Sequence, residues 1–227
     1  MVGVVAAAAV ALVTAFPAVA ATSCPGCYGM TEVAPDLYVS PEPSPAQRES
    51  LIELVGAARQ RVGDFYGGRR SSPTIVACLD DECYDRIGGG RERGVAVLDR
   101  AVMLSPRGID VTIASHEMSH VELHQRLGGV RDQVPQWFDE GLAVVLSDDR
   151  RYIAPTGTPD RCLVRPDGPL PVTLEQWLGA AGADAGTYAE AACQVSRWLS
   201  GHDSSRSATG ELVEGLTAGR PFHDLVR

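Results

Sequence analysis

Apolar residues recur every three or four positions between residues 44 and 66, as they do on one face of an α-helix. The capping box Ser44-Pro45-Ala46-Gln47 precedes this stripe, with proline at the first helical position. Gly67-Gly68 follows it and is a typical helix end. The pattern predicts a helix to about Tyr66, whose apolar face carries Leu51, Leu54, Val55, Ala58, Val62 and Phe65.

Two shorter apolar runs predict β-strands. One covers Pro73 to Leu79, and the other covers Gly94 to Ser105 as a single strand. The three glycines at 88–90 predict a flexible loop before the second run. Residues 22–43 are rich in Pro, Gly and Ser, so we expect an irregular segment there.

The second half of the chain has the signals of helices. Asp110 or Thr112 suits the cap of a helix that Gly128-Gly129 ends, and Pro135 suits the first turn of the next one. Later helices are indicated by two capping boxes and two short apolar segments, namely Thr173-x-x-Gln176, Thr187-x-x-Glu190, residues 211–216 and residues 222–226. These elements predict an α+β fold, with a sheet-containing part at 44–109 and a helical part at 110–227.

The segment His116-Glu117-Met118-Ser119-His120 is an H-E-x-x-H motif in the middle of the predicted helix 110–127. Residues four apart lie on one face of a helix, one turn from each other, so both imidazoles can bind one zinc ion. Glu117 can then accept a proton from a metal-bound water. The alternative interpretation is that the motif lies on a surface helix and that both histidines are solvated.

A catalytic zinc usually has three protein ligands and one open position. The apolar segment 134–146 contains two carboxylates, Asp139 and Glu140, and buried carboxylates are costly unless they are paired or bind a metal. Neighbouring helical residues point about 100° apart, so only one of the two can face the ion squarely. Either can therefore be the third ligand, and Glu140 is separated from His120 by nineteen residues.

HEMSH followed by PQWFDEGLA resembles the gluzincin branch of the zincin metallopeptidases, in particular the bacterial peptidase MA-like group with its W-x-x-E-G-x-A helix. The resemblance extends from about Gly94 to the C-terminus. It implies His116, His120 and Glu140 as ligands of one zinc ion and Glu117 as general base. Asp139 would then orient a histidine ring or lie in solvent.

The family resemblance also implies a fold and a substrate. The fold would be zincin-like over residues 44–227, with the active-site helix between a small sheet-containing N-terminal lobe and a helical C-terminal lobe. Gly94-Val95-Ala96-Val97 would be an edge strand that pairs with an extended peptide. The same sequence is also compatible with an ordinary core strand. Tyr188, or alternatively Tyr152, would stabilise the oxyanion.

The expected activity is zinc-dependent hydrolysis of peptide bonds, and an endopeptidase is favoured. Aminopeptidases of this clan carry an acidic anchor for the substrate amine in a strand that corresponds to Gly94–Leu98, and no acidic residue occurs there. Two alternatives are a non-catalytic zincin-like module of the cell envelope and a purely structural metal. The complete set of chemical residues argues against the first, and the open fourth position argues against the second.

The remaining histidines have no motif around them. His124 continues the four-residue spacing but is about 12 Å along the helix from His116, so the two cannot share one ion. A metzincin would need a histidine at the position of Arg126. We therefore interpret His124 as a partly exposed helical residue, and His202 and His223 as surface residues.

The N-terminus and the cysteines both predict export. Residues 1–21 are apolar and contain Ala18-Val19-Ala20, an A-x-A cleavage signal. The positively charged residues that usually precede the apolar segment of a signal peptide do not occur here. A signal peptide is expected there, or a membrane anchor if the segment is not cleaved. Localisation would then be extracellular, or in the bacterial cell envelope or periplasm. Six cysteines allow fifteen pairings, of which we predict Cys24–Cys27, Cys78–Cys83 and Cys162–Cys193.

The net charge of the chain is −9. Nucleic-acid binding needs a basic surface that can neutralise phosphates, so the acidic balance argues against a nucleic-acid partner. The expected partner is a peptide or protein substrate.

Overall fold

The computed structural model describes residues 16–226. Most of the predicted signal peptide, residues 1–15, lies outside the described residues. The chain has an α+β fold, as predicted, with a small mixed sheet and many helices. It divides into two compact units, the first containing residues up to Ala58 together with Ser71–Val121, and the second Arg59–Arg70 together with Glu122–Arg227.

The division falls inside a helix, after Val121. The last turn of this helix is held by contacts within the second unit. The buried Glu122 carboxylate accepts hydrogen bonds from the backbone N–H of Arg70 and from Arg126 Nε at 2.6 Å. Arg126 also donates to the carbonyl of Gly68.

The first unit is built on a five-stranded sheet in the described residues, with the order β1-β2-β3-β5-β4. The three central strands are parallel, while β1 pairs antiparallel with β2, and β4 with β5. The strands are β1 (Thr31–Ala34), β2 (Leu37–Ser40), β3 (Thr74–Cys78), β4 (Gly94–Val97) and β5 (Ala101–Leu104). Strand β4 therefore lies at an edge of the sheet.

The prediction that residues 22–43 are irregular is wrong, because this segment contains β1 and β2. Strand β2 pairs in parallel with β3 and buries Leu37 and Val39 completely. The strand is only four residues long and is flanked by prolines, so its local composition resembles a loop. Its long-range partner β3 determines its conformation.

The prediction of a single strand from Gly94 to Ser105 is also wrong. Leu98 and Asp99 adopt positive φ angles of 48° and 54°, and the chain reverses there into the β4–β5 hairpin. Such turns favour Gly, Asn or Asp, and Leu98 is none of these, so Asp99 alone is a weak sequence signal for the turn.

Helices of the first unit cover the sheet. The first, α1 (Pro17–Ser23), buries Ala21 in a cluster that includes Tyr84 and Met103, with Ala18 packed against it. Part of the predicted cleavage signal is therefore in contact with the core. The other helices that begin in this unit are α2 (Pro45–Tyr66), α3 (Asp81–Arg86) and α4 (Val111–Leu127). The Ser44 capping box of α2 is present, as predicted.

The second unit is helical in the described residues. Its helices are α5 (Gln136–Ser147), α6 (Leu174–Ala183), α7 (Gly186–Ser200), α8 (Ser205–Thr217) and α9 (Phe222–Leu225). The capping box at Thr173 is confirmed, but the one predicted at Thr187 is wrong. Helix α7 starts before Thr187, whose hydroxyl donates to the carbonyl of Asp184. The Asp184 carboxylate accepts from the N–H of Gly186 instead.

The three predicted disulfides are confirmed: Cys24–Cys27, Cys78–Cys83 and Cys162–Cys193. Disulfides persist in oxidising compartments, so they indicate such an environment for this chain. None of the helices in residues 16–226 is long and apolar enough to span a bilayer.

Candidate metal centre

Helix α4 presents the two histidines of the HEMSH motif on one face. Its N-cap is Asp110, whose carboxylate accepts from the N–H of Ile113 at 2.9 Å, and the helix ends before Gly128, which has a φ of +55°. The His116 and His120 rings have centroids 4.9 Å apart at an interplanar angle of 77°. The mid-helix position that the spacing requires is confirmed.

Glu140 lies near the start of helix α5, which begins directly after Pro135. Gln136 precedes Glu140 by one helical turn, and its side-chain amide donates to Glu140 Oε1 at 3.1 Å. This hydrogen bond restrains the carboxylate and leaves its second oxygen to other partners. Sequence reasoning missed Gln136, although its i,i+4 spacing from a candidate ligand was a usable signal.

The structure brings His116, His120 and Glu140 together as a group that could hold a metal ion. One potential ligand atom from each residue lies within 4.8 Å of the others. Zinc ligands at 2.0–2.2 Å from one ion are about 3.4 Å apart in a tetrahedron, so binding needs side-chain adjustments of at most about 1 Å. Two imidazoles and one carboxylate are a donor set that fits a transition metal.

Glu117 is buried next to the first of these histidines, and strand β4 passes directly over it. A Cβ atom at Gly94 would lie 2.8 Å from Glu117 Cγ and 2.9 Å from Ile113 Cγ2. Real Cβ atoms do not approach other atoms so closely, so Gly94 leaves the room that the Glu117 side chain occupies. The edge strand and the candidate base are therefore in contact.

Tyr84, which sequence reasoning missed, holds the loop that leads into β4. Its hydroxyl donates to Glu92 Oε1 at 3.0 Å, and the same oxygen accepts from the N–H of Gly90. Burial raises the pKa of Tyr84 well above its ordinary value, and the charges of Glu92 and Glu117 raise it further. The hydroxyl therefore keeps its proton and remains a donor at neutral pH.

The alternative that Asp139 lies in solvent is wrong. Its side chain is 8% exposed, and its Oδ2 atom is 2.7 Å from Nε2 of His124. This contact joins Asp139 to the ring of His124, which lies one turn after His120 and is not one of the candidate ligands. The His124 side chain is partly exposed, as predicted.

Both candidate oxyanion donors lie in one aromatic cluster of the second unit. The Tyr152 and Tyr188 rings stack with centroids 5.0 Å apart, and Trp177 contacts Tyr188 edge-on at 4.9 Å. Ile153, next to Tyr152, pairs with Cys162. The disulfide of Cys162 reaches Cys193 in helix α7, the helix that also carries Tyr188. The catalytic role of Tyr188 stays a prediction.

The histidines without a motif lie near helix ends of the second unit. His202 Nδ1 donates to the carbonyl of Trp198 at 3.0 Å. The His223 side chain is 81% exposed, so the prediction of a surface residue is confirmed for it.

Gly141, next to Glu140, permits close packing of α5 on α7. A Cβ atom at this position would lie 2.6 Å from the carbonyl oxygen of Ala191, which is backbone and cannot rotate away. Gly141→Ala is therefore expected to destabilise the fold by about 1–3 kcal/mol, as overpacking does. Urea unfolding measures the loss.

The matched control is Gly179→Ala in helix α6, where no atom lies within 4 Å of the added methyl group. It should be neutral or stabilise the protein by up to about 1 kcal/mol, because alanine favours helix. Equal unfolding midpoints for the two variants would contradict this account of Gly141.

The fold and the site thus define an α+β protein with a two-histidine, one-glutamate group that could hold a metal ion. Compared with known proteins, the chain matches no family model, and no curated protein or solved structure is significantly similar to it. The functional argument therefore rests on the chemistry of the site.

Proposed function

We propose that the protein is an exported zinc metallopeptidase of the gluzincin type with a zincin-like fold, and that it cleaves peptide bonds as an endopeptidase. The observation that carries this proposal is that one ligand atom from each of His116, His120 and Glu140 lies within 4.8 Å of the others. Glu117 follows the first of these ligands directly and is buried beside it. One zinc ion would be held by the three side chains.

The donor set favours zinc over the common alkaline-earth ions. Calcium and magnesium prefer shells made of oxygen atoms, whereas imidazole nitrogen with one carboxylate is typical of catalytic zinc. Three protein ligands also leave an open position, which a structural zinc site lacks. This arrangement supports a catalytic rather than a structural ion.

The chain supplies the other groups that hydrolysis needs. When bound, zinc polarises the scissile carbonyl and lowers the pKa of a water molecule. Glu117 accepts the proton of the attacking water and delivers it to the leaving amine. Tyr188, or alternatively Tyr152, donates to the oxyanion, and such donors contribute about 3 kcal/mol each.

Strand β4 is the proposed substrate-binding element. An extended peptide can add to a sheet edge through backbone hydrogen bonds, which tolerate many side chains. The contact of Gly94 with Glu117 means that a peptide paired with β4 would run close to the base. The strand has no acidic side chain to anchor a free amine, which favours cleavage within a chain.

The proposal is tested by metal removal and reconstitution. The purified protein, kept oxidised so that its disulfides persist, is expected to contain about one zinc per chain and to cleave peptides from a mixed library at neutral pH. A chelator should abolish cleavage, and added zinc should restore it. Mass spectrometry of the products reports both the activity and the cleavage positions.

Two outcomes would overturn the proposal in different ways. Cleavage that persists after complete metal removal would exclude a metallopeptidase. Stoichiometric zinc without cleavage of any peptide would favour the alternative of a non-catalytic zincin-like binding module.

A further inference from the structure

His124 and Asp139 form a partly buried contact next to the candidate metal ligands. On helix α4, His124 lies one turn beyond His120. On helix α5, Asp139 directly precedes Glu140. The 2.7 Å contact between His124 Nε2 and Asp139 Oδ2 therefore joins the turn after the second ligand to the residue before the third one.

We infer that His124 and Asp139 are positioning residues, which fix the rotation of helix α5 so that Glu140 is presented to the metal. This inference rests on the proposed metal site. Neither residue is a ligand in the group of three, and neither has to contact the substrate.

The geometry of an α-helix explains how the contact acts. Successive residues are rotated by about 100° around the axis, so holding Asp139 in one direction sets the direction of Glu140. The imidazole of His124 is a short, rigid side chain, and a hydrogen bond of 2.7 Å leaves little freedom between the two helices. The carboxylate of Glu140 itself is restrained by Gln136 at 3.1 Å.

Burial makes this contact costly to lose. The Asp139 side chain is only 8% exposed, and a buried carboxylate needs hydrogen-bond partners. Without His124, the Asp139 carboxylate would lose this partner and would favour orientations closer to water. Glu140 lies on the same turn of α5, so its direction towards the metal would be less well defined.

The test measures metal affinity in variants of the full chain. Zinc is titrated into the metal-free protein in competition with a chromophoric chelator, and the visible spectrum of bound cobalt reports the coordination geometry. His124→Phe keeps the ring volume but removes the donor, and we expect about 10-fold weaker zinc binding, the scale found for outer-shell partners. The cobalt spectrum should change as well.

Rescue and control variants separate positioning from general damage. His124→Gln retains a donor and should recover most of the affinity. His202→Phe removes a histidine of similar burial (21% exposed side chain against 26%) that bonds to the carbonyl of Trp198, and it should bind zinc normally. If His124→Phe does not fold, Asp139→Leu, which keeps the approximate shape of the side chain but removes the acceptor, is used in its place with the same expectation.

The outcomes distinguish this inference from the proposed function. If replacing His120 abolishes zinc binding but His124→Phe and Asp139→Leu bind zinc as the unaltered protein does, the positioning role is wrong and the metal site stands. If replacing His120 leaves zinc binding unchanged, the metal site itself is wrong and the inference falls with it. If His202→Phe weakens binding as much as His124→Phe, the effect is general and the positioning role is also wrong.

Discussion

Replacing Glu117 with glutamine is expected to lower peptide hydrolysis by about 10²- to 10⁴-fold, the contribution of a general base. Glutamine has nearly the same shape as glutamate but cannot accept the proton of the attacking water. The buried position of Glu117 beneath Gly94 should accommodate the amide without rearrangement. The chemical step is therefore removed while the surrounding structure is kept.

The measurement combines turnover of a cleaved peptide with zinc content. Glu117→Gln should retain about one zinc per chain, because the proposed ligands are unchanged. Glu214→Gln, at an exposed position of helix α8, is the matched control and should be fully active. Turnover of Glu117→Gln equal to that of the unaltered protein would rule out Glu117 as the base.

Glu140→Ala is expected to remove the third ligand and with it the zinc. The loss of affinity should exceed the roughly 10- to 100-fold cost of losing an outer-shell partner, because a direct bond to the ion is lost. Two histidines on one helix would remain, and they provide fewer ligands than a catalytic zinc site normally has. Hydrolysis should fall in parallel with the zinc content, which competition titration and metal analysis measure.

Glu175→Ala, at an exposed position in the first turn of α6, is the control for the loss of a carboxylate. Gln136→Ala removes only the hydrogen bond to Glu140 and should weaken zinc binding less than Glu140→Ala. Normal zinc binding by Glu140→Ala would mean that another residue is the third ligand, and Asp139 would be the first candidate.

Local signals predicted the helices that position the site. The Ser44 capping box and Gly67-Gly68 bound α2, as expected, and Asp110 and Gly128 bound α4. Caps and glycine stops satisfy the backbone groups at helix ends, so their effect is confined to a few neighbouring residues. The box at Thr187 failed because Asp184 competes for the same helix start.

The strands were less predictable. Strand β2 has only four residues and needs β3 to form its hydrogen bonds. The turn at Leu98-Asp99 has a typical turn residue, Asp99, at only one of its two positive-φ positions. Sheet pairing joins residues far apart in the chain, so the partner, and not the local composition, determines such elements.

The sequence by itself determined the metal chemistry that this protein can offer. The helical spacing of His116 and His120 indicated two imidazoles on one face, because helical periodicity is a local property. Glu140 was indicated by the resemblance of the W-x-x-E-G segment to a known family. Only the tertiary structure decided that these three side chains meet, that Asp139 binds His124, and that Gly94 makes room for Glu117. Each of these contacts depends on packing between elements that are distant in the sequence, and no local pattern encodes a distance of that kind.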